Sequence, residues 1–258
     1  MSTYAPEGFR TLTAYPVVTD AAAFIDFLKR VFDAEETLRT IGGAGGIHAE
    51  MSIGDSRLML GGGGPDLRWN GEPRPMAFHI GVKDCDAAYH RAMAAKATSF
   101  SEPQDQFWGE RNANIKDPFG NFWYIGTHKG ESFTFPGMPV LQPYLHPVKA
   151  DPLIDFIKRA FDGQEFGRVV TPDGRMEHAT VAIGDATIEI TEAQGPYQPM
   201  PSMFYMYVPD VDASYARAIE AGASSISPPA DQSYGDRTAG VLDAFENRWY
   251  LATHRTQK

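Results

Sequence analysis

The sequence predicts an α+β fold built from two copies of one domain, and three observations lead to it. Residues 105–128, DQFWGERNANIKDPFGNFWYIGTH, return at 231–254 as DQSYGDRTAGVLDAFENRWYLATH. Ile25–Phe32 (IDFLKRVF) is matched by Ile154–Phe161 (IDFIKRAF), and Ile53-Gly54-Asp55 by Ile183-Gly184-Asp185. A spacing of about 130 residues is too long for a solenoid and marks a duplicated domain. Within each copy, strand-like and helix-like periodicities then follow one another in the same order. The first copy is expected over 1–128 and the second over 141–258. Between them KGESFTFPGMPV, residues 129–140, carries Gly and Pro at breaker positions and reads as a linker.

Each copy opens with a short strand, Leu12–Val18 or Leu141–Val148, followed by an amphipathic helix. In the first helix Phe24, Phe27, Leu28, Val31 and Phe32 recur at i, i+3, i+4, i+7 and i+8, which gives one buried face. Asp20 and Asp151 are placed as N-caps, with Pro152 suited to the first helical position. Two strands follow in each copy: Ile47–Ile53 with Ser56–Leu60, and Met176–Ile183 with Ala186–Thr191. Their links, Gly54-Asp55 and Gly184-Asp185, are hairpin turn signals. The order then restarts with a strand (Ala77–Val82, Phe204–Val208) and a helix (Asp84–Ala95, Asp210–Ala221), and the repeated block supplies the last two strands. Each copy is therefore two strand–helix–strand–strand–(strand) units, and the chain is four.

The net charge of −10 argues against a nucleic-acid partner, which requires clustered Lys and Arg. No apolar run approaches the roughly 20 residues that span a bilayer, and the N-terminus lacks the pattern of a secretory signal. Cys85 is the only cysteine, so no intramolecular disulfide forms, which fits a cytoplasmic location; its place in KDCDAAYHRA reads as a helix start and not as a nucleophile. GGAGG (42–46) and GGGG (61–64) lack the flanking residues of phosphate-binding loops and read as loop tips where a lid would form.

The run YPVVTDAAAFIDFLKRVF…IHAEMSIGD…HIGVKDCDAAYHRA…DQFWGER…KDPFGNFWYIGTH resembles the vicinal oxygen chelate superfamily, in particular its PhnB-like, glyoxalase/bleomycin-resistance branch. The resemblance covers both copies. It implies tandem glyoxalase-like domains whose four βαβββ units form paired half-barrel sheets with concave clefts. It also implies a pseudo-dimer within one chain, existing as a monomer or a homodimer.

Strand alternation then sorts side chains between the helix side and the cleft. His48, Glu50 and Ser52 face the cleft opposite Ile47, Ala49, Met51 and Ile53, as do Phe122, Tyr124 and His128 opposite Trp123 and Ile125. Tyr144, Tyr250 and His178 are further candidates for ligand contact. Arg111 beside Trp108, and Arg237 beside Tyr234, either hold an anionic group or form salt bridges to neighbours such as Glu110 and Asp236. In metal-binding members of the family, four residues hold a divalent ion. The resemblance carries those positions to Thr13, Leu60, Met203 and Tyr250 for one cleft and to Gln142, Glu189, Ala77 and Tyr124 for the other, with His79 two residues beyond Ala77. The first set has no carboxylate, imidazole or thiolate with which to hold a metal. The expectation is no cofactor, with Glu189, Gln142 and His79 as candidate ligands for a divalent ion at one cleft only.

Two function classes follow. One is a protein that holds a small organic molecule without chemistry, favoured by the incomplete ligand sets and the aromatic cleft positions. The other is a lyase, isomerase or dioxygenase that uses a metal at Glu189, or metal-free acid–base chemistry at His48 and Glu50. A purely structural role leaves the cleft-facing His, Glu and Arg side chains unexplained.

Overall fold

The computed structural model describes residues 4–64 and 67–254. Four βαβββ units follow one another. The first comprises β1 (Leu12–Ala14) and β2 (Val17–Val18), α1 (Ala21–Phe32), β3 (Glu35–Ile41), β4 (Ile47–Ile53) and β5 (Ser56–Gly62). The second comprises β6 (Ala77–Gly81), α2 (Cys85–Ala94), β7 (Thr98–Asp105), β8 (Glu110–Lys116) and β9 (Phe122–His128). The third comprises β10 (Leu141–Leu145), α3 (Ala150–Phe161), β11 (Gln164–Val170), β12 (Met176–Ile183) and β13 (Ala186–Ile190). The fourth comprises β14 (Met203–Tyr207), α4 (Val211–Glu220), β15 (Ser224–Asp231), β16 (Asp236–Leu242) and β17 (Arg248–His254). Among the described residues, no helix is long and apolar enough to cross a membrane.

The chain divides into two compact units, Tyr15–Pro143 and a second formed by the residues up to Ala14 with those from Tyr144 onward. Both boundaries differ from those expected from the repeat. The initial strand breaks at Tyr15-Pro16, and its first half pairs with β14 through Leu12↔Met206, Thr13↔Tyr205 and Ala14↔Phe204. Thr11 strengthens that attachment by donating its backbone N–H and its hydroxyl to Asp185 Oδ1 at 2.7 and 2.8 Å. The expected linker is likewise tied to its own copy. His128 N donates to Phe133 O at 3.0 Å, Gly81 N to Val140 O at 2.8 Å, and Val140 N to Asp55 Oδ1 at 2.9 Å.

In the unit of residues 15–143, one sheet has the order β2-β5-β4-β3, and β6-β9-β8-β7 are neighbours in that order. Alternation is strict along β4, where Ile47, Ala49, Met51 and Ile53 are buried against the helix side. Trp123 is fully buried between Phe32 and Phe78, with ring centroids 4.6 Å away on each side. The Gly-rich stretch at 61–64 is not a loop tip: Gly61 and Gly62 end β5, buried beside Val17 and Val18. A Cβ on Gly62 would lie 2.0 Å from Val18 O, so the glycines serve close strand approach and not lid motion.

In the other unit the orders are β1-β14-β17-β16-β15 and β11-β12-β13-β10. Trp249 takes the place of Trp123, packed on Phe161 and Phe204. Asp20 caps α1 as expected, accepting from Ala23 N at 3.0 Å. Asp151 does not cap α3. The helix begins two residues earlier, at Ala150, whose N–H donates to the buried Glu192 carboxylate at 3.1 Å, while Asp151 pairs with Arg168 at 2.8 Å and Pro152 is the third helical residue.

The turn before the last strand is the same in both copies despite the change from DPFGN to DAFEN. Asp117 Oδ1 accepts from Phe119 N and Asn121 N, and its Oδ2 from Asn121 Nδ2 and Trp123 Nε1, all within 2.8–2.9 Å. Asp243 accepts the four equivalent bonds at 2.8–3.0 Å. Burial raises both carboxyls above the usual range, and the four donors oppose that rise. Gly120 sits at φ 96°, and Glu246 is held at φ 64° in its place. Glu246 therefore absorbs the strain, and the turn type does not change.

Candidate functional site

In the unit that contains residues 144–254, β10, β12 and β13 bring a polar and aromatic face together. The strand register sets Tyr144 beside Glu189 on the parallel β10–β13 pair, and Thr180 beside Glu189 on the antiparallel β12–β13 pair. Glu189 lies in ATIEI, whose residues are all buried; it is 9% exposed, an uncommon position for a carboxylate. His178 Nε2 lies 3.4 Å from Glu189 Oε2. Thr191 donates its hydroxyl to Glu177 O at 2.8 Å and so accepts the Tyr144 phenolic proton at 2.7 Å, which fixes the Tyr144 ring. That ring stacks on His146 with centroids 5.0 Å apart at 20°, and His146 in turn meets Tyr197 at 5.7 Å. His146 is 3% exposed, and burial lowers its pKa to about 4, so the imidazole is neutral at pH 7.

The same unit holds a second cluster on β14, β16 and β17. Asp236 accepts from the Tyr205 hydroxyl at 3.2 Å, and its other oxygen meets His254 Nδ1 at 2.9 Å. Burial raises the Tyr205 phenol, so it stays protonated. Tyr250 is half-buried and pairs in register with Tyr205 and Gly240.

In the unit of residues 15–143 the corresponding carboxylate is Glu110. Its Oε1 meets His79 Nε2 at 2.8 Å, and its Oε2 accepts from Asn112 Nδ2 at 2.9 Å and Trp108 Nε1 at 3.4 Å. Burial alone would raise the Glu110 carboxyl, but these donors, His79 foremost, hold it below the usual value. The longer Glu side chain needs space: a Cβ on Gly126 would lie 1.9 Å from Glu110 Oε1. The other copy has the shorter Asp236 and tolerates Ala252 at the matching position. Tyr124 is half-buried and pairs with His79 in the parallel β6–β9 register. Elsewhere in this unit Tyr15 Oη lies 2.6 Å from His48 Nδ1, and His48 Nε2 lies 3.9 Å from Glu50 Oε1.

The arginines are engaged by carboxylates other than Glu110 and Asp236. Arg111 binds both oxygens of Asp86 and, at 3.1 Å, Asp105. Arg237 repeats this with Asp212 at 2.6 and 2.8 Å and with Asp231 at 2.9 Å. Both tie a strand start to a helix N-terminus, while Trp108 and Tyr234 stay 48% and 65% exposed. Cys85 begins α2; its buried Sγ donates to Ile125 O at 3.2 Å, and burial pushes the thiol up to about 12.

Among the described residues no three His, Cys, Asp or Glu side chains are placed to share an ion. The His79 nitrogen is in direct contact with Glu110, and Glu189 is approached by the His178 imidazole. Sequence reasoning missed Thr191, Tyr197 and the Glu110–Asn112 pair. The alternation of β8 places Glu110 and Asn112 on one face, a signal that was present in the sequence; Tyr197 lies outside the named strands and helices and gave none.

Comparison with known proteins agrees with the fold. The chain superposes on a V278E mutant of glyoxalase I from Zea mays with a TM-score of 0.74 and 17% identity, covering 95% of this chain and 92% of the other. A putative dioxygenase from Bacillus subtilis gives 0.62 at 14% identity, covering 95% and 84%. An uncharacterized protein of Mycobacterium bovis is 37% identical over 123 residues, 45% of this chain and 81% of its own length. A Mycobacterium tuberculosis protein, also uncharacterized, is 34% identical over 134 residues, 48% of this chain and 79% of its own length. The family model for the Glyoxalase/Bleomycin resistance protein/Dioxygenase superfamily matches twice, at residues 15–125 and 149–251. The chain belongs to that superfamily.

Proposed function

We propose that this protein, as two fused PhnB-like copies, binds a small, flat organic molecule against the face formed by β10, β12 and β13, in a sequestering role of the bleomycin-resistance type. The observation that carries this reading is the Tyr144–His146 stack, 5.0 Å between centroids, beside the buried Glu189. An aromatic surface with a few fixed polar groups is the usual make-up of a small-molecule site. Tyr144 and Tyr197 offer ring faces, the neutral His146 adds no charge, and His178 with Glu189 supplies the polar anchor. Tyr144 is held by Thr191, so little ring freedom is lost when a ligand stacks on it.

The test is a thermal-shift screen of planar heteroaromatic compounds that carry one hydrogen-bond donor. A compound present at about 100 times its Kd adds about 2.7 kcal/mol of stability. Hits should lose most of their effect on Tyr144→Leu and on Glu189→Gln. Hits that act equally on both variants would show that ligands bind elsewhere.

The His178–Glu189 contact favours a second reading, in which the pair moves a proton on the bound molecule as acid and base. It requires turnover of a hit compound that is lost in both His178→Gln and Glu189→Gln. Binding without turnover supports sequestration.

A further inference from the structure

We propose that the unit holding residues 144–254 has a second small-molecule site, a recess of ≈ 270 Å³ that takes an organic cation with an apolar body. The walls are apolar, formed chiefly by Leu145, Pro147, Leu153, Met200 and Phe245, and His146, Glu246 and Asn247 bring the polar groups. Val148 lies at the same recess and is 68% exposed, an apolar side chain left in water.

The recess has a cause in the sequence. In the first copy, Phe24 packs on Phe119 at 5.2 Å and Phe27 on Phe119 at 6.2 Å. In the second copy Phe245 corresponds to Phe119, but Leu153 stands where the first copy has Phe24. The smaller side chain leaves room beside Phe245.

The charge at the recess also has a conformational cost. Glu246 is held in the left-handed region at φ 64°, where the first copy uses Gly120. That conformation is unfavourable for any residue with a Cβ. The turn itself does not require the glutamate, because Asp243 makes the four bonds that define it. A strained residue at a concave site points to a function, and a carboxylate that already has a partner within the chain accepts further donors on its remaining lone pairs. A carboxylate beside apolar walls selects an ammonium group on a hydrophobic body. His146 is neutral through burial and does not oppose a cation.

This site is additional to the Tyr144–Glu189 face, although His146 borders both. The test titrates the full chain with 2-phenylethylammonium and with the neutral 2-phenylethanol, followed by NMR. The ammonium should bind about three- to five-fold more tightly than the alcohol, the range of a solvent-accessible ion pair. Glu246→Gly should remain folded and lose that preference, and Leu153→Phe should weaken both probes by filling the recess. Glu189→Gln should leave both affinities unchanged, which separates this site from the face proposed above. The proposal is overturned by absence of binding up to about 10 mM, by equal affinity for the two probes, by a preference that survives in Glu246→Gly, or by wild-type binding in Leu153→Phe.

Discussion

At the scale of single residues, Glu246 and His146 both sit where the fold alone would choose otherwise. Glu246→Gly should relax the left-handed strain and stabilise the protein by about 1 kcal/mol, raising Tm by about 2–4 °C in calorimetry. A lower Tm would mean that the glutamate stabilises the turn. His146 makes the fold acid-sensitive. Its folded pKa is about 4 against 6.5 for the free imidazole, so the unfolded chain takes up the proton first. Nothing is lost above about pH 6.5; as pH falls from there toward 4 the native state loses up to about 3 kcal/mol. Urea unfolding at pH 7 and near pH 4.5 should show this loss in the wild type and a smaller one in His146→Gln. Much of this scale was legible in the sequence. Alternation placed His48 and Glu50 on one face of β4, opposite the buried Ile47, Ala49, Met51 and Ile53. Pairings across strands were not legible, because they depend on register. Glu110 was weighed as a partner for Arg111, yet it holds His79, and Arg111 goes to Asp86 and Asp105.

At the scale of elements, the two aspartate-centred turns carry the last strand of each copy. Asp117→Ala or Asp243→Ala would leave buried N–H donors without an acceptor, including a tryptophan indole in each case. Each should cost about 3 kcal/mol in denaturant unfolding; a cost below about 1 kcal/mol would show that water replaces the carboxylate. The repeated block made these turns visible in the sequence. The edge strands were the hardest to read. β3, β7, β11 and β15 are mostly exposed on both faces and therefore show no alternation. β7 and β15 also contain prolines, which only an edge or a bulge tolerates, and both show register shifts. The caps of α1 and α3 give the same lesson. Asp20 acts locally and was found, whereas the capping carboxylate of α3 comes from Glu192, 42 residues away in the sequence.

At the scale of the whole molecule, the duplication was plain in the sequence, but the boundaries of the compact units were not. Residues 4–14 join the unit of residues 144–254 because Asp185 and β14 hold them, a contact with no sequence signal. Asp185→Ala should therefore speed amide exchange in β1 and along β14, and leave β4 and β5 at wild-type protection. Faster exchange in β4 would contradict that assignment. The central claim is that a small organic molecule binds against the Tyr144, His146, His178 and Glu189 face. The most direct measurement is NMR of the histidine ring signals during titration with a hit from the thermal-shift screen. The His146 and His178 signals should move together and saturate with the same Kd, while the His79 signal stays in place. Saturable binding that leaves the His146 and His178 signals unmoved would contradict the account.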